Sequence, residues 1–269
     1  MCGVMNSYEK TCLIVLVGHH PNRLKLSIDK ENFEKIIFIK EKEKISGFEY
    51  KSKVLKELIK YYREQLILTE IIEFSFTEQT KPIAELTYTI CRQKMQGYKK
   101  VLVNISGGLR YMVIWLYIAC TITNTEIIHG EFKYKENIEV GITRNMNLVR
   151  LSLNTPTMMQ FEFLKLFFTK HEEIIISLRN QDIFNSLLPS IKVYESIEDL
   201  KESLNNNRNS AEQITRGAIN GYIKKLKHMS AITLYKNPEN KKEKRIEITY
   251  IGISFIINHI FKMYMKKKA

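Results

Sequence analysis

Apolar-rich runs recur through the first half of the chain: Cys12 to Val17 closed by Gly18, Ile36 to Ile39, Ile71 to Phe76, and Val101 to Ile105. Such runs read as strands buried on both faces, the condition of a parallel sheet covered by helices. Between them the period changes. Ser52 to Gln65 places Val54, Leu55, Leu58, Ile59 and Tyr62 on one side of a helix, and Pro82 to Gln96 does the same with Ile83, Leu86, Ile90 and Met95, with proline in its first turn. An apolar helix follows Arg110 as far as Thr123, and then two strands, Glu126 to Lys133 and Ile138 to Arg144, turn at Glu136-Asn137. Strand and helix in alternation call for right-handed crossovers, so the fold class predicted is α/β, a Rossmann-like doubly wound sheet with helices on both faces.

The alternation stops at Asn154-Thr155-Pro156-Thr157, which sets the expected domains at 1–153 and 154–269. In the second, Met158 to Phe168 predicts a helix burying Phe161, Leu164, Leu166 and Phe167, while 171–194 carries no clear period. From Ile197 to Leu204 a short helix is expected. A polar turn follows, then a longer helix from Ser210 to Met229 with a serine cap and Gln213 at its third position. Ala231 to Lys236 and Arg245 to Tyr250 alternate like two strands around a polar turn, and a last helix spans Gly252 to Lys266. Helix, turn, helix, two-stranded wing, helix is the order of a mostly α winged helix-turn-helix domain.

At 269 residues the chain suits two domains of roughly 100–150 residues each. Its charge changes the picture more. Lys and Arg number 42 against 29 Asp and Glu, a formal +13, which favours polyanionic partners. Between Arg216 and Arg245 stand nine basic residues and two acidic ones. Cys2, Cys12, Cys91 and Cys120 show neither metal-ligand spacing nor a disulfide framework, so no metal is expected. The apolar runs are too short for a signal peptide core or a membrane span, and a cytoplasmic protein without membrane association is expected.

Ligands of a doubly wound sheet bind beyond the carboxyl ends of the strands. Two strand ends here suit an anion: Gly18-His19-His20-Pro21-Asn22-Arg23 and Asn104-Ile105-Ser106-Gly107-Gly108-Leu109-Arg110. Paired glycines let the backbone approach a ligand, the next helix adds its positive N-terminus, and Arg110 adds a planar fork of donors. The same pattern fits a structural tight turn, and the histidines a solvated loop. Thr77, at the end of the third strand, would face the same crevice. On the predicted long helix, Ile219, Ile223 and Leu226 form an apolar stripe, and Gln213, Arg216, Asn220 and Lys224 share another face able to read base edges. Lys241, Lys242, Lys244 and Arg245 on the wing would contact DNA phosphates.

The stretch Val103-Asn104-Ile105-Ser106-Gly107-Gly108-Leu109-Arg110, preceded by strand-helix units and followed by an apolar helix, resembles the signature of the CARF domain. This is the CRISPR-associated Rossmann-like sensor of cyclic oligoadenylates. With a C-terminal winged helix, the whole chain is similar to the archaeal CARF transcriptional regulators of CRISPR loci. The resemblance implies a homodimer holding a cyclic oligoadenylate, cyclic tetra-adenylate first, across its two-fold interface, and binding double-stranded DNA. It carries ligand contact to Gly18, Asn22 and Arg23, and to Ser106, Gly107, Gly108 and Arg110. His19-His20-Pro21 departs from the aromatic and acidic residues common in that loop. The alternative within the same resemblance is a metal-independent ring nuclease that linearises cyclic tetra-adenylate, with Arg110 or Arg23 steadying the developing charge. Ring nucleases more often carry lysine at the position of Arg110. The ribonuclease branch would need an arginine followed four to six residues later by histidine, and no such pair occurs after Leu153.

Overall fold

The structure, a computed structural model, describes residues 9–18, 20–42, 48–75, 80–136, 138–170, 172–180, 184–207, 214–238 and 244–268. It divides into two compact units. The first holds the described residues up to Pro82 together with Arg92–Ser152; the second holds Ile83–Cys91 and the described residues from Leu153 onward.

Along the chain β1 (Thr11–Leu16), α1 (Pro21–Ile28), β2 (Lys35–Glu41), α2 (Phe48–Glu64), β3 (Leu68–Phe74), α3 (Lys81–Met95), β4 (Lys100–Asn104), α4 (Arg110–Thr123), β5 (Glu126–Lys135) and β6 (Ile138–Asn147) follow one another, all in the first unit except Ile83–Cys91 of α3, which belong to the second. The six strands form one sheet in the order β3-β2-β1-β4-β5-β6; all neighbours run parallel except β6, which is antiparallel to β5. The sheet is therefore the doubly wound one expected. β1 is buried at every position, which explains its unbroken aliphatic run. Leu13, Val15 and Val17 face Leu24 and Ile28 of α1 and Val54, Leu55, Leu58 and Tyr62 of α2 in one apolar cluster.

Two elements differ from expectation. Helix α1 was not anticipated, because its eight residues carry the core-facing pair Leu24 and Ile28 but too few turns to show a period. Strand β3 starts at Leu68 rather than Ile71, and at the sheet edge its pattern alternates, leaving Leu68 and Ile71 exposed. Glu70 in its middle is paired with Lys35 at 2.7 Å and with Arg92, which makes a charge tolerable there.

The second unit contains α5 (Met158–Lys165), α6 (Glu172–Asn180), a 3-10 turn (Phe184–Ser190), β7 (Val193–Tyr194), α7 (Ile197–Asn206), α8 (Arg216–His228), β8 (Ile232–Lys236), β9 (Lys244–Ile248) and α9 (Tyr250–Lys268). The segment unreadable in sequence thus supplies a helix, a turn and a short strand. That strand joins a three-stranded sheet in the order β7-β9-β8. Helix α5 opens on a capping box, with the Thr157 hydroxyl accepting from the Gln160 N–H and the Gln160 side chain accepting from the Thr157 N–H. Phe161 is not fully buried as expected; it stacks on His259 with ring centroids 3.9 Å apart, and Phe163 takes the core position.

The helix expected from Ser210 begins instead at Arg216, where the Thr215 hydroxyl accepts from the Ala218 N–H. Just ahead of it the Ile214 N–H donates to the Asn205 side-chain oxygen at 2.8 Å. Residues 208–213, Ser210 among them, lie outside the described residues. Ile219, Ile223 and Leu226 face inward as predicted. A Cβ on Gly221 would meet nothing within 4 Å, and its φ is not positive, so no packing reason keeps glycine there. Gly221→Ala is expected to raise stability by about 0.5–1 kcal/mol. A lower urea midpoint for the variant would show that the glycine is needed in the folded chain.

Among the described residues no helix is long and apolar enough to cross a membrane.

Candidate functional site

From β1 the chain passes through α1 to β2 on one side, and from the adjacent β4 it passes through α4 to β5 on the other. Strand order reverses between β1 and β4, so the crevice beyond their carboxyl ends is the place where this architecture receives ligands. The two loops that meet there pack backbone on backbone. A Cβ on Gly18 would lie 2.7 Å from the Gly108 nitrogen and 3.2 Å from the Gly107 Cα. One on Gly107 would lie 2.7 Å from the Leu16 carbonyl oxygen, and Gly108, at φ +81°, would drive a Cβ to 2.1 Å from Leu16 Cγ. Gly18 and Gly107 are therefore required by the close backbone approach of the two segments, and Gly108 by the Leu16 side chain and by its left-handed backbone.

Helices α1 and α4 both start at this end of the sheet. His20 and Leu109 stand at their N-cap positions in extended conformation, neither supplies a side-chain cap, and neither helix has an acidic residue in its first turn. Helix N-termini of this kind favour anions.

Beneath the loops lies a buried polar network. The Ser106 N–H donates to Asn104 Oδ1 at 2.9 Å, which turns Asn104 Nδ2 toward the Ser27 Oγ, 2.8 Å away. Asn145 Nδ2 donates to the Glu31 carboxylate and to the Ser27 carbonyl oxygen, both at 2.8 Å, so its Oδ1 faces the Ser27 hydroxyl and accepts from it at 2.7 Å. Ser27 has then used its only proton. In the 3.0 Å contact between the two serines, Ser106 must be the donor, while its Oγ accepts from the Gly130 N–H at 2.8 Å. Each serine is satisfied. The Ser106 side chain is thus committed inside the protein, and it shapes the crevice through the loop it fixes.

Of the expected ligand residues, Gly18, Ser106, Gly107 and Gly108 are brought together in this contact. Leu109 is half-buried at the cap and Arg110 is exposed at the first position of α4; His20 and Asn22 are exposed around the start of α1. Arg23 is half-buried, its guanidinium carbon 4.2 Å from the centroid of the Phe132 ring. His19 and Thr77 lie outside the described residues. Ser27, Gly130, Phe132 and Asn145 were not foreseen. The one available signal was Asn104, a polar residue ending an otherwise aliphatic buried run.

On the second unit, Arg216, Asn220 and Lys224 are exposed on the face of α8 opposite its buried stripe. Gln213, Lys241 and Lys242 lie outside the described residues. Lys244 is exposed. Arg216 pairs with Glu198 of α7 at 3.2 Å, and Arg245 pairs with Glu247 at 3.0 Å and Glu195 at 3.7 Å, so both arginines already have acidic neighbours. Cys12, Cys91 and Cys120 are buried and form no disulfide; burial pushes the Cys12 thiol up to about 12, which keeps it protonated. Among the described residues no group of His, Cys, Asp and Glu could hold a metal ion.

No family model and no curated protein matches the chain. Among solved structures, it aligns with protein VC1899 from Vibrio cholerae at 12% identity and a TM-score of 0.38, over 93% of this chain and 65% of that one. It aligns with Can2 from Sulfobacillus thermosulfidooxidans, solved in complex with cyclic tetra-adenylate, at 13% identity and a TM-score of 0.31, over 95% of this chain and 65% of that one. A third alignment is with Enterococcus italicus Csm6 bound to cyclic hexa-2′-fluoro-hexa-dAMP, at 12% identity and a TM-score of 0.37, over 81% and 56% of the two chains. The chain therefore spans less than two thirds of the length of each of these proteins.

Proposed function

We propose that this chain senses a cyclic oligoadenylate in the crevice between β1 and β4 and binds double-stranded DNA through its C-terminal unit, as the CARF resemblance implies. The observation that carries the reading is the contact of Gly18 with Gly107 and Gly108 beside two helix N-termini whose N-cap residues, His20 and Leu109, supply no side-chain cap. Both helices begin at the crevice end of the sheet, and a ring of phosphodiesters is a ligand with several anionic groups to meet the first-turn N–H groups of each. Arg110 adds an exposed guanidinium at the rim. A homodimer would place two such crevices side by side. Helix α4 offers an apolar stripe for it in Tyr111, Ile114, Trp115 and Ile118, of which Ile114 is 57% exposed.

Support for DNA comes from α8 and the sheet beside it. The face bearing Arg216, Asn220 and Lys224 has no acidic residue, and the short β7 added to the β8–β9 pair completes a compact support for helices α7 and α8. The surface pair between Arg216 and Glu198 costs little to open, because exposed ion pairs contribute at most about 1 kcal/mol.

The test is calorimetric titration with cyclic tetra-adenylate, cyclic hexa-adenylate and linear tetra-adenylate. A cyclic ligand is expected to bind, and Arg110→Ala to weaken it roughly 10- to 100-fold, the range of a lost charge-assisted hydrogen bond. DNA from the protein's own locus should bind with a salt dependence that Lys224→Ala reduces by about one unit of log–log slope. Absence of binding to every cyclic oligoadenylate would sink the sensor reading. Conversion of the bound ligand to a linear product over hours would reassign the chain as a ring nuclease.

A further inference from the structure

The β5–β6 ribbon outruns the sheet. Strand β5 pairs with β4 only from Glu126 to Ile128, whereas His129 to Lys135 pair with β6 alone. Because β5 runs parallel to β4, this free part of the ribbon stands past the carboxyl end of β4, on the crevice side. Phe132 lies in it, and its position is fixed from three directions. A Cβ on Gly130 would meet Phe132 Cζ at 2.6 Å and Cε2 at 2.9 Å, so residue 130 lacks a side chain where the ring rests. The His129 ring meets it edge on, at 6.2 Å and 82°. From α1, the Arg23 guanidinium lies over it with its carbon 4.2 Å from the ring centroid.

The stack is joined to the glycine contact on both sides. The Gly130 N–H is held by Ser106 of the glycine turn, and Leu24, next to Arg23, lies so close to Gly107 that a Cβ there would stand 2.6 Å from Leu24 Cδ2. Arg23 belongs to the first turn of α1, whose N-terminus borders the crevice.

We infer that Arg23 and Phe132 form a nucleobase subsite on the wall of the crevice. A guanidinium laid on an aromatic ring is a flat cation with a second face, and guanidinium planes stack on bases as aromatic rings do. The resulting order is Phe132 ring, Arg23 guanidinium, base. A phosphate contact would need only the charge of Arg23; base stacking needs its plane, and the Phe132 ring 4.2 Å from the guanidinium carbon is the surface against which that plane would lie. The subsite rests on the reading of the crevice as a cyclic oligoadenylate site and adds the part that meets a base.

Full-length protein is titrated with cyclic tetra-adenylate as wild type, F132L, F132Y and R23K, with thermal midpoints measured in parallel. F132L keeps apolar volume but loses the ring, and R23K keeps charge but loses the plane; each is expected to weaken binding about 3- to 30-fold. F132Y should remain within about twofold of wild type. Unchanged affinity in F132L, or full affinity in R23K, overturns the subsite while wild-type binding leaves the crevice reading intact. If wild type binds no cyclic oligoadenylate, the crevice reading falls and takes the subsite with it. Should F132L fail to fold, R23K decides alone, since it changes only the end of a half-buried side chain.

Discussion

Gly108→Ala is expected to lose about 2–5 kcal/mol of stability. A left-handed backbone costs a non-glycine residue about 1–2 kcal/mol, and overpacking adds about 1–3 kcal/mol. Both apply here, because Gly108 combines φ +81° with a Cβ position 2.1 Å from Leu16 Cγ, and Leu16 is itself fully buried in β1. Gly97 is the natural control. It has φ +91° with nothing within 4 Å of a Cβ, so Gly97→Ala should show the backbone cost alone. The sole tryptophan, Trp115, lies on α4 just beyond the glycine turn and reports urea unfolding of this region by its fluorescence. Equal losses in the two variants would show that the clash with Leu16 is relieved without cost.

Gly252→Ala should cost about 2–4 kcal/mol in the second unit, by sterics alone. A Cβ at the start of α9 would lie 2.2 Å from the Ala231 carbonyl oxygen, 3.0 Å from its carbon and 2.7 Å from Ile248 Cγ1. The obstacle is backbone, and it is tied down: the Ala231 carbonyl accepts from the Thr249 N–H at 3.0 Å, and the Thr249 hydroxyl donates to the Ser230 carbonyl at 2.5 Å. Moving it away breaks the junction between β8, β9 and α9, so overpacking here should fall in the upper range for such changes. Wild-type stability of the purified variant in chemical denaturation would show that α9 can shift along its axis instead. The contrast with Gly221→Ala, expected to stabilise, rests on the space around each glycine and not on helix propensity.

What could be read from the chain followed from how many turns or strands repeat a pattern. The doubly wound sheet was legible because β1, β2 and β4 are buried on both faces and show it as unbroken aliphatic runs. Helix α1 was not, since Leu24 and Ile28 alone do not establish a period. The start of α8 was misplaced because Ser210 and Gln213 satisfy a capping pattern as well as Thr215 does; the Asn205 side chain holding the Ile214 N–H, a contact nine residues apart, favours the later start. At the site, the glycine loops announced themselves through composition. Ser27, Asn145 and Phe132 did not, since single polar or aromatic residues take on meaning only when the sheet brings positions more than a hundred residues apart within hydrogen-bonding distance, as with Ser27 and Asn145.

In the network under the glycine turn the protons run in a single direction, from Gly130 to Ser106 to Ser27 to Asn145, and each hydroxyl has one orientation that satisfies all its neighbours. No member can reverse without stranding another. Asn104, Ser106, Ser27 and Asn145 are therefore bound to one another energetically: removing the hydrogen-bonding group of any one leaves a buried polar partner unsatisfied.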